Sequence, residues 1–153
     1  MNDKLIKSEI LNLFTQYESK SKTDFKIDIE NDLDLCYIAS PLRGNVEYNL
    51  MLAREHCHFV SKVYKMTPIA THILFPAMGF DDDNDFDRML CRAYGLKILG
   101  MCKHLFFFVN KSNPIVSEGM NAEIDLAFQL LIDVQKIQYT YDPITKKLEY
   151  YTL

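Results

Sequence analysis

The run HLFFFVN at residues 104–110 constrains this chain most. It is continuously apolar through five positions with no polar alternation. A strand of that kind needs cover on both faces, as in a parallel sheet sandwiched by helices. The flanking segments agree. LDLCYIAS (33–40) and PIATHILF (68–75) read as two more buried strands. Between them Val46, Leu50, Ala53, Cys57, Val60 and Tyr64 recur in steps of four and three, which is helical spacing. Phe86, Met89, Leu90, Ala93 and Leu96 mark a helix ending near Gly100, and Met120, Ile124, Ala127, Phe128 and Leu131 mark another. KIQYTYD and KLEYYTL close the chain as a hairpin around Asp142–Pro143 or as edge strands. Strands alternating with helices predict βαβ units in a doubly wound α/β domain with a parallel sheet of about five strands. Functional loops then belong at the carboxyl ends of the strands, here Ser40–Asn45, His72–Pro76 and Asn110–Gly119.

Ahead of this pattern, residues 3–18 read as an extra amphipathic helix with Leu5, Ile6, Ile10, Leu13 and Phe14 on one side, and 19–32 as a polar linker. The expected division is therefore 1–32 for helix and linker and 33–153 for the α/β domain. No internal repeat or low-complexity segment interrupts it.

Charge and cysteine usage narrow the function classes. The net charge of −4 argues against a nucleic-acid polymer as partner, which calls for a basic surface, but leaves room for a single nucleotide. Cys36, Cys57, Cys91 and Cys102 match no C-x-x-C or zinc spacing, and free core thiols point to a reducing cytoplasm. The N-terminus is charged and lacks the apolar run of a signal peptide. The longest apolar run, LFFFV, is far too short to span a membrane.

Several familiar motifs are absent. No two of the five glycines are separated by one residue, so there is no dinucleotide fingerprint and no phosphate-binding P-loop. His56 and His58, in HCH, fall on different faces of a helix, reading as solvated or partly packed residues. DDDND at 81–85 lacks the glycine and glutamate of a calcium loop and suits a helix N-terminus instead. No metal or cofactor is expected.

The strand ends carry the chemistry. After the first strand come Ser40, Arg43 and Gly44. Gly44 permits close backbone approach, and Arg43 pairs readily with phosphate or carboxylate. His72 and Phe75 stand near the end of the second strand as packed residues or pocket wall. Ser117 and Gly119 open the last core helix, where a hydroxyl and N–H groups can cap the helix or hold an anion. Glu123 poses a question, because it lies at the edge of that helix's apolar stripe.

Taken together, YIASPLRG with a following Asn, FP, an Arg…Gly pair and SEGMNAEI resemble the nucleoside 2-deoxyribosyltransferase-like superfamily over roughly residues 34–135. The likeness is greatest to its small phage and bacterial branch, related to 2′-deoxynucleoside 5′-monophosphate N-hydrolase. That resemblance implies a flavodoxin-like fold and cleavage or transfer of an N-glycosidic bond in a (deoxy)nucleotide or nucleoside. By position Glu123 is the implied nucleophile, a carboxylate kept ionised by the helix dipole in the first turn. Tyr37 stands beside it. Ser117, with Arg43 and Gly44, is implied to face phosphate, and Ser40, Asn49, His72, Phe75, Arg92, Gly119 and Met120 fill out the substrate site. The superfamily's enzymes are homo-oligomers, which implies an interface for the tyrosine-rich tail (Tyr139, Tyr141, Tyr150, Tyr151). Two departures stand out. The acid that protonates the leaving base is missing near Gly95, and Lys103 replaces a usual Asp. The alternative is therefore a non-catalytic protein that senses or sequesters a nucleotide-derived ligand, in a phage–host setting.

Overall fold

The computed structural model describes residues 3–20 and 33–152. The elements run α1 (Asp3–Lys20), β1 (Leu35–Ala39), α2 (Val46–Tyr64), β2 (Thr67–Ile69), α3 (Thr71–Ala77), α4 (Asp85–Gly100), β3 (His104–Asn110), α5 (Glu118–Gln129), β4 (Asp133–Asp142) and β5 (Lys147–Tyr151). Contacts divide the chain into Met1–Leu33 and Asp34–Leu153. In the first unit α1 forms as its stripe predicts, while residues 21–32 of the expected linker lie outside the described residues. The rest concerns the second unit.

Its sheet has the order β2-β1-β3-β4-β5, the 2-1-3-4-5 winding of flavodoxin-like folds. β1 pairs in parallel with β2 and β3, and β3 with β4. β5 runs antiparallel to β4, since a short turn after Asp142 reverses the chain without a crossover helix.

Alternate residues of each strand supply the two faces. On one face, Cys36, Ile38, Phe106, Phe108 and Ile137 pack against Leu52 and Val60 of α2. On the other, Tyr37, Ala39 and Leu105 meet Leu99 of α4 and Met120 and Ala127 of α5. The unbroken apolar reading of β3 follows from this double burial: Leu105, Phe106, Phe108 and Val109 are all buried.

Several sequence expectations need correction. The segment 68–75 is not one strand. β2 stops at Ile69 and a short helix, α3, begins at Thr71. Pro68 fits because β2 is an edge strand, where one missing ladder donor is tolerated. The stripe of α4 faces the core only in part, with Leu90 and Leu96 half-buried. Phe86 and Met89 are 63% and 59% exposed, and the helix buries Gly95 and Leu99 instead. Finally, the C-terminal tyrosines pack within the chain. Tyr150 stacks on Phe59 at 4.0 Å and its hydroxyl lies 2.8 Å from His56 Nδ1, and Tyr139 is buried. His56 is thus fully packed rather than solvated. Burial lowers its pKa to about 3, so the ring is neutral.

Candidate functional site

The winding reverses between β1 and β3, and a cleft opens there at the carboxyl ends of the strands, as open α/β sheets require. It is a cavity of about 550 Å³, within the range of small-ligand sites. β1 reaches it with Tyr37, and the β1–α2 loop with Ser40 and Arg43. α3 adds Thr71, His72 and Phe75, α4 adds Arg92 and Gly95, and the start of α5 adds Ser117, Gly119, Met120 and Glu123.

A chain of hydroxyls and a carboxylate joins the strand to two helices. The Tyr37 hydroxyl donates to Glu123 Oε1 at 2.8 Å. It also lies 2.9 Å from Thr71 Oγ1. With its own proton given to Glu123, Tyr37 accepts the proton of Thr71. Burial, and then the Glu123 charge, hold the Tyr37 phenol far above its ordinary value.

Glu123 is the sixth residue of α5, in the second turn rather than the first. The dipole of the helix end acts chiefly within the first turn, so it does not dominate here. Burial raises the Glu123 pKa to about 7, and the Tyr37 hydrogen bond works against that rise. The carboxyl is therefore poised between its two forms near neutral pH, where a group exchanging charge with a ligand is most responsive.

Around this centre Ser40 Oγ and His72 Nε2 are 2.8 Å apart. Burial lowers the His72 pKa to about 4, so this pair is neutral. Ser117 is the N-cap of α5 and accepts from the Met120 N–H at 3.2 Å. Its hydroxyl proton stays available for an acceptor. Arg43 Nε holds Asp82 Oδ2 at 3.2 Å, which ties the β1–α2 loop to the loop before α4. Asn84, the fourth residue of DDDND, caps α4 by accepting from Phe86 and Asp87 N–H.

Of the residues singled out in the sequence, Tyr37, Ser40, Arg43, His72, Phe75, Arg92, Ser117, Gly119, Met120 and Glu123 line this one cavity. Gly44 and Asn49 do not. Gly44 has φ +95° and open space around its Cα, so it serves the turn. Asn49 Nδ2 donates to the carbonyls of Leu42 and Arg43 at 3.0 and 2.9 Å, which fixes the loop that presents Arg43. Sequence reading missed Thr71, Asp82 and Arg88, all of which line the cavity. Thr71 was legible in principle, because Thr71 and Phe75 stand one helical turn apart. No local pattern marks Asp82 or Arg88.

The sheet order defines a flavodoxin-like α/β domain with a cleft at its switch point. The chain belongs to the family described as Domain of unknown function (DUF7768), whose profile matches residues 34–137. Among solved structures it is similar to a 2-desoxiribosyltransferase from Leishmania mexicana. That likeness has a TM-score of 0.51 at 13% identity, over 78% of this chain and 81% of that one, and it is a likeness of fold. No curated protein sequence matches.

Proposed function

We propose that the protein cleaves or transfers the N-glycosidic bond of a (deoxy)nucleotide or nucleoside, with Glu123 as nucleophile. The observation that carries this reading is the buried Tyr37 hydroxyl donating to Glu123 Oε1 at 2.8 Å in the cavity. That bond orients one carboxylate oxygen and leaves the other for a ligand. In the proposed step this carboxylate attacks the anomeric carbon. The C1′–N bond breaks as the C1′–O bond forms, and the electron pair leaves with the base. Water or a second base then takes the glycosyl group. The fold shared with a 2-desoxiribosyltransferase supports the same reading.

Ser117, Gly119 and Arg43 are the proposed phosphate side. A capped helix N-terminus beside a guanidinium suits a doubly charged ester. The outward apolar face of α4, with Phe86 and Met89, is the proposed interface of a homo-oligomer. A cytoplasmic setting agrees with four free cysteines, and no described helix is long and apolar enough to cross a membrane.

One observation favours a second reading, a nucleotide-binding protein without turnover. The cavity side of α4 carries Arg88, Cys91, Arg92, Gly95 and Leu96 and no carboxyl group, so an acid for the leaving base would have to come from Asp82 or Glu118, which also line the cavity. Incubation with a panel of nucleosides and their 5′-monophosphates separates the two. Release of free base supports the enzyme, and saturable binding with no release supports the binding protein. Equal affinity for nucleosides and monophosphates would remove the phosphate assignment.

A further inference from the structure

Two side-chain bridges join β1 and the residue just beyond it to the first turn of α3. The hydroxyl oxygens of Tyr37 and Thr71 lie 2.9 Å apart, and Ser40 Oγ meets His72 Nε2 at 2.8 Å. Ala70, which precedes α3, makes no side-chain cap hydrogen bond, so the two bridges tie this turn to the strand. The Thr71 hydroxyl is thereby held beside Tyr37, and the chemistry above gives it no part.

The Tyr37 phenol has one proton and two oxygen neighbours, Thr71 Oγ1 and Glu123 Oε1, the latter at 2.8 Å. A hydrogen bond to an ionised acceptor is roughly twice as strong as one to a neutral acceptor. Ionised Glu123 therefore takes the phenol proton, and Thr71 donates to the phenol oxygen. Donation into that oxygen polarises the O–H and strengthens the bond it makes to Glu123. The arrangement is closed off from other donors. Tyr37 and Thr71 are both buried. The space in front of Gly95 is filled by the Tyr37 hydroxyl, Thr71 Oγ1 and the Phe75 ring, which a Cβ there would meet at 3.3, 3.6 and 4.0 Å.

We propose that Thr71 is a positioning residue for Glu123: its hydroxyl fixes and polarises the Tyr37 hydroxyl that orients the carboxylate. This rests on Glu123 as the centre of the site. The effect passes through Tyr37. Burial raises the Glu123 pKa and the Tyr37 bond opposes the rise, so removing the Thr71 donor lets that pKa climb further. Two other titratable groups stand close and stay neutral near pH 7. Cys102 acts on Tyr37, and burial pushes its thiol up to about 11. His72 is held down at about 4 by burial. Arg43, Asp82, Arg88, Arg92 and Glu118 also line the cavity, and none of them is altered by a change at Thr71.

The test uses the full chain and its Thr71→Val and Thr71→Ser variants, with melting temperatures to confirm folding. Valine keeps the shape of threonine without the donor, and serine keeps the donor. Glu123 titration is read from its carboxyl carbon NMR signal in glutamate-labelled protein, assigned with Glu123→Gln. Thr71→Val should raise the midpoint by a few tenths of a pH unit, at most about 0.7. Thr71→Ser should keep the wild-type value. In a Tyr37→Phe background Thr71→Val should move the midpoint no further. Base release by Thr71→Val should be up to about fivefold slower below the midpoint and equal to wild type near pH 9. Should the valine variant not fold, Thr71→Ala removes the same donor and carries the same expectation. A midpoint within about 0.1 unit of wild type, a shift that Thr71→Ser shares, or a shift of equal size without the Tyr37 hydroxyl overturns the proposal. A Thr71-dependent midpoint in a protein that releases no base keeps the positioning role and removes Glu123 chemistry. Base release that is lost in Glu123→Ala, with a Glu123 midpoint indifferent to Thr71, does the reverse.

Discussion

Replacing Tyr37 by Phe isolates the hydrogen bond on which the site depends. Glu123 has a pKa of about 7 because burial raises it while the Tyr37 hydroxyl holds it down. A hydrogen bond to a charged group contributes about 1.5–3 kcal/mol, and one pKa unit is about 1.4 kcal/mol. Losing the bond should therefore move the Glu123 pKa up by about 1–2 units. A nucleophilic carboxylate works ionised, so activity rises with pH through this pKa. At pH 7 the ionised fraction should fall from about half to a few per cent, and the rate by about five- to fiftyfold. The loss should largely disappear near pH 9. The assay is base release against pH for wild type and Tyr37→Phe. The variant also leaves buried Thr71 Oγ1 without its partner, at a cost of about 1–3 kcal/mol in stability. A midpoint that does not move, or a rate deficit equal at all pH values, would refute the coupling.

Three further outcomes follow from the same geometry. Glu123→Gln should be more stable than wild type at pH 8, by about 1–3 kcal/mol. The folded Glu123 pKa is raised from 4.5 to about 7, so wild type loses stability as pH climbs through that window, and denaturant melts at pH 4.5 and 8 should show the gap only at the higher pH. His56 is depressed to about 3, so its stabilisation is present above its ordinary value of 6.5 and is lost as pH falls toward 3. His56→Phe should flatten an acid slope that approaches about 1.4 kcal/mol per pH unit in wild type, and an unchanged slope in pH-dependent melts would contradict this. Asp82→Asn frees Arg43 from its ion pair and should tighten monophosphate binding by up to about fivefold, since an exposed pair is worth at most about 1 kcal/mol. Titration calorimetry should show nucleosides unaffected, and weaker monophosphate binding would place Asp82 with the ligand instead.

The parts of the fold legible in the sequence were those with one dominant physical signal. β3 could only be a doubly buried strand, and α2 and α5 announced themselves by spacing, α5 also by Ser117 at its N-cap. The error at residues 68–75 arose because a three-residue edge strand and a seven-residue helix together make one apolar run, and periodicity does not resolve runs that short. α4 carries two competing faces. Its apolar stripe with Phe86 and Met89 is outermost, while Arg88, Arg92 and Gly95 line the cavity. A glycine and two arginines give no amphipathic signal for the inner side. Glu123 lines the cavity, but its electrostatics were misread. The dipole argument holds for the first turn, whereas burial beside Tyr37 governs the second. Asn49 was placed among ligand contacts, yet it holds the loop carbonyls. Sequence spacing does not distinguish touching a ligand from supporting a residue that does.

The central claim is that Glu123 is the nucleophile, and base release by wild type and Glu123→Ala measured side by side tests it most directly. Melting temperatures for both proteins show whether the variant folds. The account predicts release by wild type and a loss on the order of a thousandfold or more in the variant. Turnover that survives in a folded Glu123→Ala protein would contradict it.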